Sequence, residues 1–315
     1  MTTCAPGSAT GPCTVLKKLL FPHAEPHEYV AAWGARLALA LFAALSLDRA
    51  SAVGGWIARR FGPRSGANKI AARNLARAMP ELTPAQQTAA LVGMWDNLGR
   101  VIAEYAHLAD LGDEIAAGTA RVEIVGNEHI DAVVAAKRPT VFFSAHYGNW
   151  ELLGLTATRK GLPLVQVYRA ANNPLTEDLL QSLRQAVGGR LVPKGMQAAR
   201  ELIKALRQNE SLAMLVDQKL TTGVAVPFFG RDAMTAPAIA ELALRAGCPV
   251  VPAYVERLGG AQFRVTVEAP IMLEDTGNRE QDVYNGLLLI NRKIESWIRK
   301  RPDHWFWVHR RWPKG

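Results

Sequence analysis

The chain is predicted to be an α/β protein, with a mixed, largely parallel sheet, helices on both faces, and a helical membrane-associating segment before it. From about residue 111, strand-like apolar runs alternate with helix-like stretches, which is typical of a sheet covered by helices. Residues 28–110 show helical patterning instead, interrupted at Gly62-Pro63 and Met79-Pro80. A length of 315 residues, 49% of them hydrophobic, favours one large α/β domain over two equal domains.

Three regions follow from these patterns. Residues 1–26 are rich in Thr, Gly, Pro and small side chains, and we expect a poorly ordered lead there. Residues 27–110 are the predicted N-terminal helical segment, in which Thr83-Pro84 indicates an N-cap followed by proline at the first helical position. Residues 111–315 form the predicted α/β domain.

The elements of the α/β domain are predicted from the alternation of the two patterns. Strands are expected at 121–124, 140–144, 164–168, 212–216, 250–255 and 263–267. Helices are expected at 128–136, 151–159, 174–187, 196–208, 237–246 and 282–299. Thr235 and Gly247 lie where a cap and a stop for the fifth helix are needed.

The most apolar stretch covers residues 30–47 and is interrupted only by Gly34, Arg36 and Ser46. A spanning helix needs about 20 apolar residues, so this stretch is borderline. We expect a membrane anchor that lies in the interface or spans once; a buried amphipathic helix of a soluble protein is the alternative. Basic residues flank both ends, so the positive-inside rule does not select an orientation. The late start argues against a signal peptide.

The charge and the residue composition limit the kinds of partner and cofactor to be expected. Lysine and arginine number 37 against 28 acidic residues, which gives a net charge of +9. Such an excess suits an anionic membrane surface or a phosphorylated substrate. Nucleic acid is not expected, because no zinc-finger or RRM-like signature is present. The 3 cysteines form no CxxC pair, and His304 and His309 lack partners at ligand spacing, so we expect no disulfide framework, metal or cofactor.

The most informative segment is VFFSAHYGNWE at residues 141–151. Its apolar run predicts a buried strand that delivers His146 to the carboxyl end of a sheet, where open α/β folds place their chemistry. Within one helix, His146 and Glu151 would lie about 140° apart. A bend at Gly148 would instead fold Glu151 back towards His146, with Asn149 as the helix N-cap. A histidine held by a carboxylate is a general base, so His146 and Glu151 are the candidate catalytic pair.

Attack on a carbonyl group would also need a site for the developing oxyanion and a nucleophile. Exposed backbone N–H groups at Gly148 and Asn149 are expected to bind an oxyanion. Ser144 lies nearby but lacks the Gly-x-Ser-x-Gly context of a nucleophile elbow. Direct attack by a substrate hydroxyl is therefore favoured over an acyl-enzyme.

Further polar residues follow other predicted strands. Arg169 ends its strand at the edge of the sheet expected to hold His146, and a guanidinium there suits a phosphate or a carbonyl oxygen; a surface ion pair is the alternative. Asp217 and Gln218 follow an apolar strand and indicate a site, although Asp217 is also suited to capping a loop. Lys194 is either a phosphate contact or a solvated lysine.

The C-terminal segment WFWVHRRW, residues 305–312, mixes indoles with arginines. Aromatic rings beside cations suit a membrane interface or an anionic glycolipid headgroup. Packing of the same rings against the sheet is the alternative, and both can hold for different residues.

Several segments together resemble one known family. They are HYGNWE at 146–151, VYR at 167–169, VDQK at 216–219, PFFG at 227–230, WFWVHRRW at 305–312, NLARAMPEL at 74–82 and MWDNLGR at 94–100. Taken in their order along the chain, they are similar to the lipid A biosynthesis (lauroyl/myristoyl) acyltransferases, which share an H-x₄-[D/E] motif. The resemblance runs from about residue 30 to the end. Tyr147, where phenylalanine is commoner, and the long N-terminal lead depart from it.

The resemblance implies a membrane-associated O-acyltransferase of the bacterial inner membrane, with its catalytic domain facing the cytoplasm. It would move a fatty acyl chain from an acyl carrier protein thioester to a hydroxyl of a lipid A precursor. His146 and Glu151 would be catalytic. The residues expected to bind substrate are Arg169, Asp217, Gln218, Lys194 and Asn149.

Three alternatives to this function stay open. The first is a related acyltransferase that uses acyl-coenzyme A or another glycolipid or phospholipid acceptor, as mycobacterial mannoside acyltransferases do. The second is a lipid hydrolase, which would need a nucleophile or metal set that the sequence lacks. The third is a non-catalytic membrane-binding protein, which would be expected to have lost the His146/Glu151 pair.

Overall fold

Residues 26–116 of the computed structural model are helical, as predicted; the structure describes residues 25–168, 170–195 and 198–312. Residues 1–24 of the predicted lead lie outside this description. The five N-terminal helices are α1 (Pro26–Ala43), α2 (Leu47–Phe61), α3 (Gly66–Ala78), α4 (Pro84–Glu104) and α5 (Leu108–Ala116). The predicted cap at Thr83 is confirmed, because its side chain accepts from the backbone N–H of Gln86 and Pro84 begins α4.

Strands and helices then alternate to the C-terminus. The strands are β1 (Val122–Val125), β2 (Val141–Ser144), β3 (Leu164–Tyr168), β4 (Arg190–Pro193), β5 (Ser211–Leu215), β6 (Lys219–Phe228), β7 (Arg231–Thr235), β8 (Val250–Gly259) and β9 (Gln262–Val267). The helices are α6 (Asn127–Ala136), α7 (Glu151–Arg159), α8 (Pro174–Arg184), α9 (Ala198–Arg207), α10 (Ala238–Ala246) and α11 (Arg279–Lys300).

Seven strands form one sheet in the order β1-β9-β8-β2-β5-β3-β4. Every neighbouring pair is parallel except β8 and β9, which are antiparallel, so the predicted mixed, largely parallel sheet is confirmed. Side chains alternate between two cores. Phe143 packs with the cluster that includes α3, α4, α9, α10 and α11, whereas Phe142 packs with the cluster that includes α5, α6 and α7. Helices therefore cover both faces, as expected.

Two features of the α/β domain were not predicted. Strand β4 is short and lies at the edge of the sheet, after Gly188 and Gly189, so its apolar pattern is weak. Strands β6 and β7 form a separate antiparallel hairpin whose partly exposed residues lack a continuous apolar run. Most other boundaries agree with the predictions within a few residues, and the predicted 151–159 and 164–168 elements match α7 and β3.

The N-terminal helices pack closely on one another, and α1 also packs on the α/β domain. In the contact between α2 and α4, a Cβ added to Gly54 would lie 2.4 Å from the carbonyl oxygen of Gly99, so the two backbones touch. Helix α1 lies along α8, where Arg36 pairs with Asp178 at 3.4 Å and Asn173 donates to the carbonyl of Glu28.

The outer surface of α1 and α2 exposes large apolar side chains, which are Val30, Trp33, Leu37, Leu41, Val53, Trp56, Ile57 and Phe61. Among the residues that the model describes, none of the helices has both the length and the hydropathy required for crossing a bilayer.

Candidate active site

His146 follows β2 directly, at the carboxyl end of the sheet, and its nearest partner is Asp217 at the end of the neighbouring β5. The Nδ1 atom of His146 lies 2.8 Å from Oδ1 of Asp217. The backbone N–H of His146 donates to Oδ2 of the same carboxylate at 2.8 Å, and Trp305 Nε1 donates to Oδ2 at 2.8 Å. These contacts fix both the ring and the backbone of His146 relative to Asp217.

The charge state of Asp217 determines which nitrogen of His146 carries the proton. Burial acts to raise the pKa of Asp217, but the charge of His146 and the hydrogen bonds from His146 and Trp305 outweigh it and hold the pKa well below its usual range. An ionised Asp217 only accepts hydrogen bonds, so Nδ1 of His146 is the donor. When the imidazole is neutral its Nε2 is then an acceptor, and Nε2 of Gln218 lies 3.2 Å from it.

Glu151 does not make the expected contact with His146. Its Oε1 accepts from Tyr105, from Trp150 Nε1 at 3.1 Å and from Arg184 Nη2 at 3.0 Å. The contact with His146 that was expected of Glu151 is made by Asp217 instead. The physical reason is that Glu151 is the first residue of α7 and meets Tyr105 and the end of α8, whereas the parallel pairing of β2 with β5 brings Asp217 to His146.

The expectations for Asn149 and for the oxyanion site are also corrected. The Asn149 side chain does not cap α7; it is buried, and its Nδ2 donates to Glu104 Oε2 at 2.8 Å. Gly148 is buried as well, and its N–H donates to the carbonyl of His304 at 3.0 Å. Gly148 and Asn149 are therefore both buried, and the N–H of Gly148 is already bonded to the C-terminal segment, so the expected exposed N–H groups are not found here.

An open pocket, here called the polar pocket, lies in front of His146. Its lining residues are His146, Trp150, Val167, Tyr168, Ala170, Ala171, Asn172, Arg184, Lys194, Leu215 and Gln218. The predicted residues Gln218 and Lys194 are thus brought to the same pocket as His146. Arg169 lies outside the described residues, although its neighbours Tyr168 and Ala170 line the pocket.

A second, apolar cavity adjoins the polar pocket and runs beneath it along the sheet. The two share Trp150, Val167, Tyr168, Arg184 and Leu215. Apolar side chains of the sheet and of α7 make up most of the remaining lining, which includes Phe142, Leu153, Ala157, Ala213, Ala253 and Val265. The volume open to the centre of a water-sized sphere is about 100 Å³, so the apolar cavity is narrow.

Arg184 and Tyr105 were missed in the sequence. Arg184 lies where the polar pocket meets the apolar cavity, and Tyr105 is hydrogen-bonded to Arg184 and Glu151. Burial acts to lower the pKa of Arg184, but Glu151 and Tyr105 outweigh burial and raise it, so the guanidinium stays charged. Burial and then the charge of Glu151 raise the pKa of Tyr105 well above its usual value, so its hydroxyl remains a donor. Arg184 looked like an ordinary last-turn cation of a helix, and only the Glu151 contact distinguishes it.

The C-terminal aromatic residues pack inside the protein. Trp305 and Trp307 are fully buried, and their rings meet edge to face at 4.6 Å between centroids. Trp312 stacks on Phe228 at 5.6 Å. For these residues the packing alternative is confirmed, and Trp305 adds the bond to Asp217.

Comparison with known proteins gives the family. The model of the bacterial lipid A biosynthesis acyltransferases matches residues 21–314 of the chain. The chain belongs to this family. The family resemblance found in the sequence is therefore confirmed, and the protein is an acyltransferase.

Two kinds of curated relative share most of the chain. A lipid A biosynthesis lauroyltransferase of Escherichia coli strain K12 is 28% identical over 272 residues, which cover 83% of this chain and 84% of that protein. Phosphatidylinositol mannoside acyltransferases from two strains of Mycobacterium tuberculosis are 27% identical over 230 residues, covering 72% of this chain and 71% of theirs.

Two further observations concern metal binding and the position of Lys194. Within residues 25–168, 170–195 and 198–312, no group of three or more His, Cys, Asp or Glu side chains is arranged to hold a metal ion. Lys194 follows β4, and its backbone N–H donates to the carbonyl of Tyr168 at 2.8 Å, which holds this residue at the rim of the polar pocket.

Proposed function

We propose that this acyltransferase moves a fatty acyl chain from a thioester to a hydroxyl of a lipid A precursor by general-base catalysis. Nε2 of His146 takes the proton of the hydroxyl, whose oxygen attacks the thioester carbonyl. The new C–O ester bond forms, the C–S bond breaks, and His146 returns the proton to the departing thiolate. The observation that carries the proposal is the His146–Asp217 pair, with Nε2 facing the polar pocket.

Asp217 would support this step in two ways. Its bond to Nδ1 holds the tautomer in which Nε2 accepts a proton. Its negative charge also stabilises the imidazolium that forms when His146 takes the proton, and burial with Trp305 strengthens that interaction. Gln218, beside Nε2, marks the position that the attacking hydroxyl would take.

The acceptor is proposed to be an anionic glycolipid. The family and the Escherichia coli relative favour a lipid A precursor. Lys194 and Arg184 give the polar pocket cations suited to a phosphate or a sugar hydroxyl, in keeping with the net charge of +9. The mycobacterial relatives support a second candidate, in which the acceptor is a phosphatidylinositol mannoside or another glycolipid.

The fatty acyl chain is proposed to occupy the apolar cavity. The cavity opens at the residues it shares with the polar pocket, so a chain within it would present its carbonyl carbon near His146. Arg184, at that opening, is positioned to stabilise a developing oxyanion, in place of the buried N–H groups of the turn. We propose acyl carrier protein as the donor; the basic surface suits an acidic carrier, and acyl-coenzyme A is the alternative.

Membrane association is proposed to occur through the outer surface of α1 and α2. Trp33 and Trp56 are more than half exposed there, and tryptophan is favoured at the membrane–water interface. Because α1 packs on α8, and the loop before α8 lines the polar pocket, this surface would hold the pocket next to the lipid. The inner membrane, with the catalytic domain in the cytoplasm, is the corresponding location.

The experiment that tests the proposal incubates the enzyme with acyl carrier protein thioesters of several chain lengths and a tetra-acylated lipid A precursor, with products identified by mass. We expect a gain of one acyl group that is absent with His146→Ala. Thioester consumption with release of free fatty acid would indicate that the acceptor is wrong. Transfer that persists at the full rate in His146→Ala would contradict the mechanism.

A further inference from the structure

A buried ion pair lies behind the turn that carries His146, between α4 and β8. Nη1 and Nη2 of Arg257 lie 2.6 and 2.9 Å from Oε1 and Oε2 of Glu104, and both side chains are buried. Ser51 of α2 donates to Oε1 of the same carboxylate at 2.7 Å. A bidentate pair of this kind fixes the orientation of both side chains as well as their separation.

Two amide side chains connect this ion pair to the turn formed by residues 146–149, here called the catalytic turn. Asn97 accepts from Arg257 Nε at 3.0 Å and donates from Nδ2 to the carbonyl oxygen of Gly148 at 2.9 Å. Asn149 donates from Nδ2 to Oε2 of Glu104 at 2.8 Å. The ion pair is thus bonded to the two residues that end the catalytic turn.

The catalytic turn has a backbone that needs such support. Gly148 has a φ of +59°, and a Cβ added there would lie 1.8 Å from the carbonyl oxygen of Val255. The turn therefore lies directly on the backbone of β8, two residues before Arg257. His304 joins the same contact, because its carbonyl accepts from Gly148 N–H and its Nε2 accepts from Arg257 N–H.

We propose that Asn97, Glu104 and Arg257 are positioning residues that hold the catalytic turn, so that His146 keeps its bond to Asp217 while Nε2 faces the polar pocket. The inference rests on the proposed general-base function of His146. The described linings of the polar pocket and the apolar cavity do not include these three residues. Their removal is therefore expected to lower turnover and to leave substrate binding unchanged.

The chain contains a matched control for Asn97. Asn291 of α11 is also a buried amide that accepts from a buried arginine, Arg311 Nη2 at 3.3 Å, and donates to a backbone carbonyl, Pro227 at 3.1 Å. It serves the β6–β7 hairpin instead of the catalytic turn. Asn97→Ala and Asn291→Ala thus remove the same two kinds of bond at different places.

The test compares these two variants in the full-length, detergent-solubilised enzyme by steady-state kinetics and thermal unfolding. Both should lower the melting temperature by similar amounts. Asn97→Ala should lower kcat by about 10- to 100-fold with KM within about twofold, since a displacement of about 1 Å in an active site has effects of this size. Asn291→Ala should retain kcat. An unchanged kcat in Asn97→Ala, or an equal loss in both variants, would overturn the proposal.

Hydrogen exchange gives a readout that does not depend on the substrate. Amide protection across residues 145–150 should fall in Asn97→Ala and in Glu104→Gln, and remain at the wild-type level in Asn291→Ala. If the wild-type enzyme transfers no acyl group, the proposed function fails, and the exchange comparison still tests the positioning. Unchanged protection of the catalytic turn in folded Asn97→Ala and Glu104→Gln would overturn it.

Discussion

Two buried carboxylates lie close to the reaction centre, and they have different partners. Asp217 accepts from the ring and backbone of His146 and from Trp305. Glu151, the glutamate of the H-x₄-E motif, instead accepts from Tyr105, Trp150 and Arg184. A motif that is read as one catalytic pair thus contributes to two different units. We propose that His146, Asp217 and Trp305, here called the Asp217 unit, serve proton transfer. Glu151, Tyr105, Trp150 and Arg184, here called the Glu151 unit, hold the cation of Arg184 between the polar pocket and the apolar cavity.

The largest effect is expected from replacing the base itself. His146→Ala removes the proposed general base, and general-base catalysis contributes about 10²–10⁴-fold. We expect kcat to fall by at least that factor while the melting temperature stays near the wild-type value, because the ring is partly exposed. Turnover measured by mass, with thermal unfolding as the control for folding, checks this. A variant with full activity would remove His146 from the mechanism.

Asp217→Asn should come next. The amide leaves the shape of the side chain but removes the charge that fixes the tautomer of His146, an effect on the order of 10³–10⁴ in kcat for histidine–aspartate pairs. KM should change little, since Asp217 is buried beneath His146. A kinetic comparison with Glu151→Gln sharpens the contrast between the two carboxylates. If Asp217→Asn retained wild-type kcat, the Asp217 unit would not serve proton transfer.

Glu151 and Arg184 should behave as a coupled pair. Removing Glu151 alone leaves a largely buried guanidinium without its carboxylate, which costs about 3–5 kcal/mol for buried pairs. In a double-mutant cycle, Glu151→Ala and Arg184→Ala should show a coupling free energy of about 0.5–3 kcal/mol in kcat/KM. The cycle between Arg184→Ala and Asp217→Asn serves as the control and should be close to additive. Equal coupling free energies in the two cycles would mean that the two units act as one.

The apolar cavity beside Glu151 should govern chain length. Ala213 lies on β5, abreast of Phe142 and Gln166, and lines the cavity. Ala213→Leu should shift the preferred thioester to a shorter chain, with each methylene contributing about 1–3 kcal/mol to discrimination. Competition between thioesters, analysed by mass, measures the shift. Ala205→Leu, which overfills the opposite core, is the control and should leave the preference unchanged.

The smallest effect concerns stability in acid. The pKa of Asp217 is lower in the folded protein than in the unfolded chain, so its ionised form stabilises the fold above the usual aspartate pKa of about 4. This contribution is lost as the pH falls below that value towards the folded pKa. Urea unfolding between about pH 5 and pH 3 should therefore show a weaker pH dependence in Asp217→Asn than in the wild type. If the stability of the two proteins changed equally with pH, the assigned ionised state of Asp217 would be contradicted.

Much of the fold could be predicted from the sequence because its signals are local. Apolar runs predict strands β2, β3 and β5 directly, and the cap at Thr83 predicts the start of α4. The edge strand β4 and the β6–β7 hairpin were missed because their residues are partly exposed and lack a continuous apolar pattern.

The sequence predicted which residues belong to the candidate site better than it predicted the contacts between them. His146, Asp217 and Gln218 were identified because they follow predicted strands, and Lys194 because it precedes a predicted helix. His146, Gln218 and Lys194 line one pocket, with Asp217 directly behind His146. The pairing could not be predicted, because it depends on β2 lying next to β5, and neighbours in a sheet are not set by sequence order. For the same reason, Arg184 and the buried Glu104–Arg257 pair could not be predicted from the sequence.

The central claim, that Asp217 and not Glu151 orients the base, is tested most directly by nuclear magnetic resonance of protein labelled with ¹⁵N-histidine. The His146 signal is assigned from its loss in His146→Ala. The account predicts a hydrogen-bonded Nδ1–H resonance that persists in Glu151→Gln and disappears in Asp217→Asn. A resonance that disappears in Glu151→Gln and persists in Asp217→Asn would contradict it.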